Sequence, residues 1–174
     1  NFQNNGTFAP ATSTFRISNV WDNPGTFTTG LSTVIFTATT SSHTPSNATT
    51  SLFFHNVTFG ETSGTATWNL TKPLVTSGNL TVNYGTLARA TTPINRGGNL
   101  SLGANGTLSG LGTTTFDGTG SSLWGDAKAS SLSTNIGNVV IDGTAKTITL
   151  SNNVGSESLT IGSDDTLNAS GSGF

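Results

Sequence analysis

Short runs in which apolar and polar residues alternate dominate this chain. Asn79-Leu80-Thr81-Val82 and Ser158-Leu159-Thr160-Ile161 are apolar at every second position, the period of a half-buried strand. Ala66-Thr67-Trp68-Asn69-Leu70 and Thr147-Ile148-Thr149-Leu150 follow the same rule. No window sustains apolar residues at i, i+3, i+4 and i+7 between helix caps, so helix content is expected to be low. Two longer stretches break the alternation and are expected to be loops: 37–51, with His43-Thr44-Pro45, and 117–134, with Trp124-Gly125-Asp126.

The runs recur in order. Asn19-Val20 through Gly25-Thr26-Phe27 returns as Asn99-Leu100 through Gly106-Thr107-Leu108. Val34-Ile35-Phe36 matches Thr114-Thr115-Phe116, and Ser51-Leu52 matches Ser131-Leu132. Asn56-Val57-Thr58-Phe59 matches Asn138-Val139-Val140-Ile141, and Thr67–Leu70 matches Thr147–Leu150. All offsets fall at about 79–82 residues, which reads as two copies of a unit of about 80. A finer phrase, G-T-[F/L], stands at 6–8, 25–27, 85–87 and 106–108, with neighbours about 20 residues apart. That spacing suits one coil of a β-solenoid, four to the larger unit. The expected organisation is one domain: 1–18 closes a preceding repeat, 19–98 is the first copy and 99–174 the second.

The grammar N-L-T-V, G-T-L, G-G-N-L-S-L, N-G-T-L and T-F-D-G resembles the repetitive right-handed parallel β-helix segments of bacterial surface proteins. Autotransporter passengers and filamentous-haemagglutinin-type adhesins are its familiar members. The resemblance spans nearly the whole chain and implies an all-β parallel β-helix in an extracellular or cell-surface setting. It brings no catalytic motif. In such a coil Leu80, Val82, Leu87, Leu100, Leu102, Leu108, Leu150, Leu159, Ile161 and Leu167 are expected to point inward, each stacked on its equivalent one coil away. Eight or nine coils spaced ~4.8 Å apart make a rod roughly 40 Å long.

Composition narrows the functional classes. The 174 residues include 8% charged and 32% hydrophobic, with a formal net charge of −2, so polarity comes from Thr, Ser, Asn and Gly. Six Lys and Arg, scattered singly, make no footprint for nucleic acid. Cys is absent, which excludes disulfides and thiol chemistry, and no apolar run reaches the ~18–20 residues of a membrane span.

The candidate chemistry is sparse. Among eight acids only Asp164-Asp165 are adjacent, in a turn, while Asp117-Gly118 and Asp142-Gly143 carry a turn signal. His43 and His55 are twelve apart, without ligand-spaced partners, so neither metal nor cofactor is implied. Trp68, in an alternating strand, is expected in the core; Trp124, in a variable loop, is the candidate carbohydrate contact. Sequons begin at Asn5, Asn47, Asn56, Asn69, Asn79, Asn99, Asn105 and Asn168, a number that Asn, Ser and Thr richness produces by itself. T-x-T triplets at 26–28, 65–67, 113–115 and 147–149 are too irregular in sequence for an ice-matching ladder.

Asn5-Gly6-Thr7-Phe8 echoes the segment ending Thr166-Leu167, and Phe15 then aligns with Phe174. These residues are candidate ends of a polymer joint, with self-association head to tail as the expected partnership. The leading expectation is an extracellular structural β-solenoid, as a fibre subunit or adhesin stalk, and not an enzyme. The alternatives are a carbohydrate-binding or polysaccharide-degrading β-helix, then a phage tail-fibre segment or an ice-binding solenoid.

Overall fold

The computed structural model describes residues 1–128 and 133–169. Every ladder in it is parallel, and each strand pairs with the strand one coil earlier or later. The chain winds into a β-solenoid of about eight turns of roughly 21 residues, with no helix. Parallel pairing between neighbours in sequence requires such a winding, because a hairpin would reverse the strand.

Two sheets form the long faces. The six-stranded sheet stacks Leu52–Phe54, Leu74–Thr76, Ile94–Arg96, Thr114–Phe116, Asn138–Ile141 and Ser158–Ile161. The ten-stranded sheet runs from Thr14–Ile17 through Thr33–Phe36, Asn56–Phe59, Leu80–Ala88, Leu100–Ser109, Thr119–Asp126 and Thr144–Leu150 to Thr166–Asn168. Its side branch carries Ser42–His43 and Thr67–Asn69. Near the first coils lie a three-stranded sheet (Phe2–Gln3, Trp21–Asn23, Ser46–Asn47) and a pair of short strands (Thr7–Phe8, Thr26–Phe27).

Because the register keeps equivalent positions above one another, alternation becomes columns. Val34, Val57, Leu80, Leu100 and Trp124 form one inward column, and Phe36, Phe59, Val82 and Leu102 a second. Trp68, Leu87 and Leu108 form a third. The burial of each Leu stabilises by ~1.5–3 kcal/mol, a benefit one coil alone lacks.

The recurring Asn before each strand also has a structural job. Asn56 Oδ1 accepts the Asn79 N–H (2.8 Å), Asn79 Oδ1 accepts the Asn99 N–H (2.9 Å), and Asn99 Oδ1 accepts the Leu123 N–H (2.8 Å). Asn therefore clamps the corner where the backbone changes face. The Gly of G-T-[F/L] answers to space: a Cβ on Gly106 would meet Val82 O at 1.9 Å, and one on Gly85, whose φ is 74°, would meet Ala66 O at 2.4 Å.

Several expectations need correction. Residues 119–126 are a strand, and Trp124 is 2% exposed, paired with Leu100 on one side and Leu150 on the other. Its ring is a core rung rather than a carbohydrate contact, because the preceding residues extend the coil and slide Trp124 into the apolar column. Segment 37–51 likewise contains two short strands. Leu159 and Ile161 pair in register with buried Val139 and Ile141, yet are 40% and 43% exposed, since no described coil covers them.

Ladder partners lie from 19 residues apart (Phe2 and Trp21) to 26 apart (Ser121 and Thr147). A fixed spacing of 80 therefore drifts around the coil. Asn56–Phe59 belongs to the ten-stranded sheet, whereas its sequence match Asn138–Ile141 belongs to the six-stranded one. The coil is the architectural unit.

Replacing Leu100 with Ala is expected to destabilise by about 2–5 kcal/mol, and Ser101 with Ala by no more than about 0.5 kcal/mol. Urea unfolding followed by circular dichroism distinguishes the two; equal effects would refute the inward assignment of this column. In the same assay Asn79→Ala is expected to lower stability by about 1–3 kcal/mol through the lost corner clamp.

Candidate functional site

Among the described residues the stack opens between the second and third coils. Thr26–Phe27 pairs only with Thr7–Phe8, and Leu52–Phe54 pairs only with Leu74–Thr76, so two sheet edges face each other without a described ladder. The segment between Asn47 and Leu52 causes the gap. It leaves the ladder after Ala48 N–H bonds to Asn23 O, and Leu52 N–H already bonds to Pro73 O in the next coil.

The gap is a cavity of about 130 Å³. Its apolar wall consists of Trp21, Phe27, Leu52, Phe53 and Phe54; Asn23, Thr26, Asn47 and Thr49 supply polar groups. Trp21, Leu52 and Phe54 are held rigidly at 1–3% exposure, while Phe53 is 46% exposed at the mouth. Trp21 and Phe54 meet edge to face at 5.1 Å, with Phe27 5.1 Å from Trp21, so the wall is locked by ring packing. Asn47 Nδ2 donates to Thr49 Oγ1, and Lys72 Nζ donates to the Asn47 and Thr49 carbonyls, fixing the rim. Asn47 Oδ1 is buried with no hydrogen-bond partner.

Sequence reading passed over this cleft because it rests on two breaks in the pattern. Phe53-Phe54 places apolar residues on both sides of one strand, and Ser46-Asn47-Ala48-Thr49-Thr50-Ser51 interrupts the coil.

The sequence-derived candidates fall elsewhere. Phe8 packs on Phe2, Phe15 and Phe27 at the first coils, while Asn5, Gly6 and Thr7 are exposed beside it. Thr166 and Leu167 lie at the other end of the stack, paired with Thr147 and Ile148. Thr7–Phe8 belongs to the two-stranded sheet, Phe15 and Thr166–Leu167 lie in opposite end strands of the ten-stranded sheet, and Phe174 lies outside the described residues. Asp164 and Asp165 cap the preceding coil: Asp165 accepts the Gly143 and Lys146 N–H groups, and Asp164 that of Ala145. His43 bonds to Thr40 O and His55 to Ser77 Oγ. No cluster of metal-ligating side chains occurs among the described residues, and none of the described helices could cross a membrane because there are none.

The interior holds an unexpected charge. Arg89, Arg96 and Lys146 are each no more than 1% exposed. Arg96 lies with its guanidinium carbon 3.3 Å above the Phe116 ring and donates to Gly98 O, but its Nε and Nη2 have no partner. Lys146 donates to the carbonyls of Gly97 and Thr119. Burial pushes the Arg89 pKa down to about 10 and that of Arg96 well below its ordinary value. Lys146 is lowered first by burial, then by Arg96, against an opposing pull from Asp117 and Asp165.

Compared with the models of known protein families, with curated proteins and with solved structures, the chain matches none.

A lowered pKa on a cation means the unfolded chain holds the proton more tightly, so stability rises with pH as the folded form deprotonates. For Lys146 this window lies below 10.5, and for Arg89 it opens at about 10 and runs up to the ordinary guanidinium value. The wild type is expected to gain stability as pH rises toward 10.5, and Lys146→Met to show a flatter profile. Urea midpoints measured across that range test the assignment; identical slopes would remove Lys146 as the titrating group.

Proposed function

We propose that this chain is an extracellular or cell-surface structural β-solenoid, a fibre or filament unit or the stalk of an adhesin, extended by stacking coil upon coil. The observation that carries this reading is the state of the last described coil. Leu159 and Ile161 continue buried core columns in perfect register and are nevertheless 40% and 43% exposed. They are rungs suited to one more layer, whether further chain or a second copy supplies it.

Among the described residues the strand Ser158–Ile161 also has one edge without a ladder partner, which another parallel strand fits. A head-to-tail contact of this kind does not close on itself and so builds open filaments. At the opposite end, half-buried Phe2, Phe8 and Phe15 offer the apolar counterpart. The outward side supports an exposed setting: Thr67, Thr86 and Thr107 stand in line, with Thr58, Thr81 and Ser101 in a second line of the same sheet. Such a surface is wettable without carrying net charge.

On this reading the chain associates end to end in a concentration-dependent way, seen by sedimentation velocity and electron microscopy. The double variant Leu159→Lys, Ile161→Lys keeps its circular dichroism spectrum and sediments as a monomer. A wild type that stays monomeric at every concentration would end the filament form of the proposal.

A further inference from the structure

The geometry points to the cleft between the second and third coils as a binding site for a single neutral sugar ring. Its chemistry is that of an amphipathic, uncharged ligand. Among the described residues no Asp, Glu, Lys, Arg or His lines it, the Lys72 ammonium at the rim being held on the Asn47 and Thr49 carbonyls, and aromatic carbon on one side faces amides and hydroxyls on the other. A pyranose has the same division, with C–H groups on its faces and hydroxyls around its edge.

Three further observations select that occupant. The cavity, about 130 Å³, is far smaller than the ~300 Å³ and more of drug-sized sites, so it admits one ring and not an oligomer or a peptide strand. Phe53, the outward position of the strand between buried Leu52 and Phe54, lines the cleft and is 46% exposed, which leaves ring surface for stacking against sugar C–H groups. Asn47 lines the cavity and its Oδ1 is buried with no donor, so a small rotation of the side chain toward a ring hydroxyl makes a hydrogen bond where leaving it unmade is costly. The site is prepared in advance: Trp21 and Phe54 are locked by mutual packing, and Lys72 pins the rim through two carbonyls. A chain that binds terminal sugars through such clefts would attach to glycan ends rather than along a polysaccharide.

The test is a ¹H–¹⁵N chemical-shift titration of the whole chain with glucose, galactose and N-acetylglucosamine, each raised to about 50 mM, the range of a weak single-ring site. Cyclohexanol serves as the ring without a polar edge. The expected result is saturable shifts confined to Trp21, Thr26, Asn47, Thr49 and Phe53 with at least one sugar, and weaker shifts with cyclohexanol. Phe53→Ala, a change at an exposed position, is expected to weaken binding about tenfold, and Phe53→Tyr to retain it. Shifts elsewhere, no shifts with any sugar, equal response to cyclohexanol, or unchanged binding by Phe53→Ala would each overturn the site. Binding is independent of assembly: the Leu159→Lys, Ile161→Lys chain is expected to bind equally, so failure of the filament reading leaves this result readable.

Discussion

Everything in this molecule depends on the registered parallel ladder between successive coils. Once residue and equivalent are held one strand spacing apart, each side chain packs on the side chain above and below it, and a column succeeds or fails as a whole. Leu80 on Leu100 is favourable because both are apolar and inward. Asn79 on Asn99 works because an amide oxygen at that corner meets the next N–H. The same rule explains why Gly is required at Gly106, where the backbones themselves approach too closely for a Cβ.

Departures from the rule concentrate the unusual chemistry. Where the segment between Asn47 and Leu52 leaves the ladder, pairing lapses and a cleft appears. The buried Arg96 interrupts an apolar column between Thr76 and Phe116, and the adjacent ring partly compensates its desolvation. Asp126, at 1% exposure, accepts the N–H groups of Lys128 and Thr134 and so holds these two backbone positions to one carboxylate.

Much of the fold was legible because alternation and corner residues are local properties. Period-two runs such as Asn79–Val82 identify inward positions, and the recurring G-T-L marks the length of a coil, before any pairing is known. What remained illegible was phase. Trp124 reads as loop because Gly, Ser and Asp surround it, and only the ladder reveals that it stands over Leu100. The 80-residue matches likewise report a shared vocabulary of strands, whereas which face a strand joins depends on the cumulative length of all preceding corners. The cleft was the least legible, since it arises from an interruption in pairing between segments that are each unremarkable.

The spread of coil lengths, 19 to 26 residues between ladder partners, has a further consequence. Each coil touches only its two neighbours, so an insertion at one corner bulges outward without disturbing coils farther along. Rod length and surface ornament are thereby separate variables. A descendant could acquire a new outgrowth on any turn, or gain and lose whole turns, while the remaining turns kept their packing. Such an architecture makes reach and recognition evolvable independently of one another.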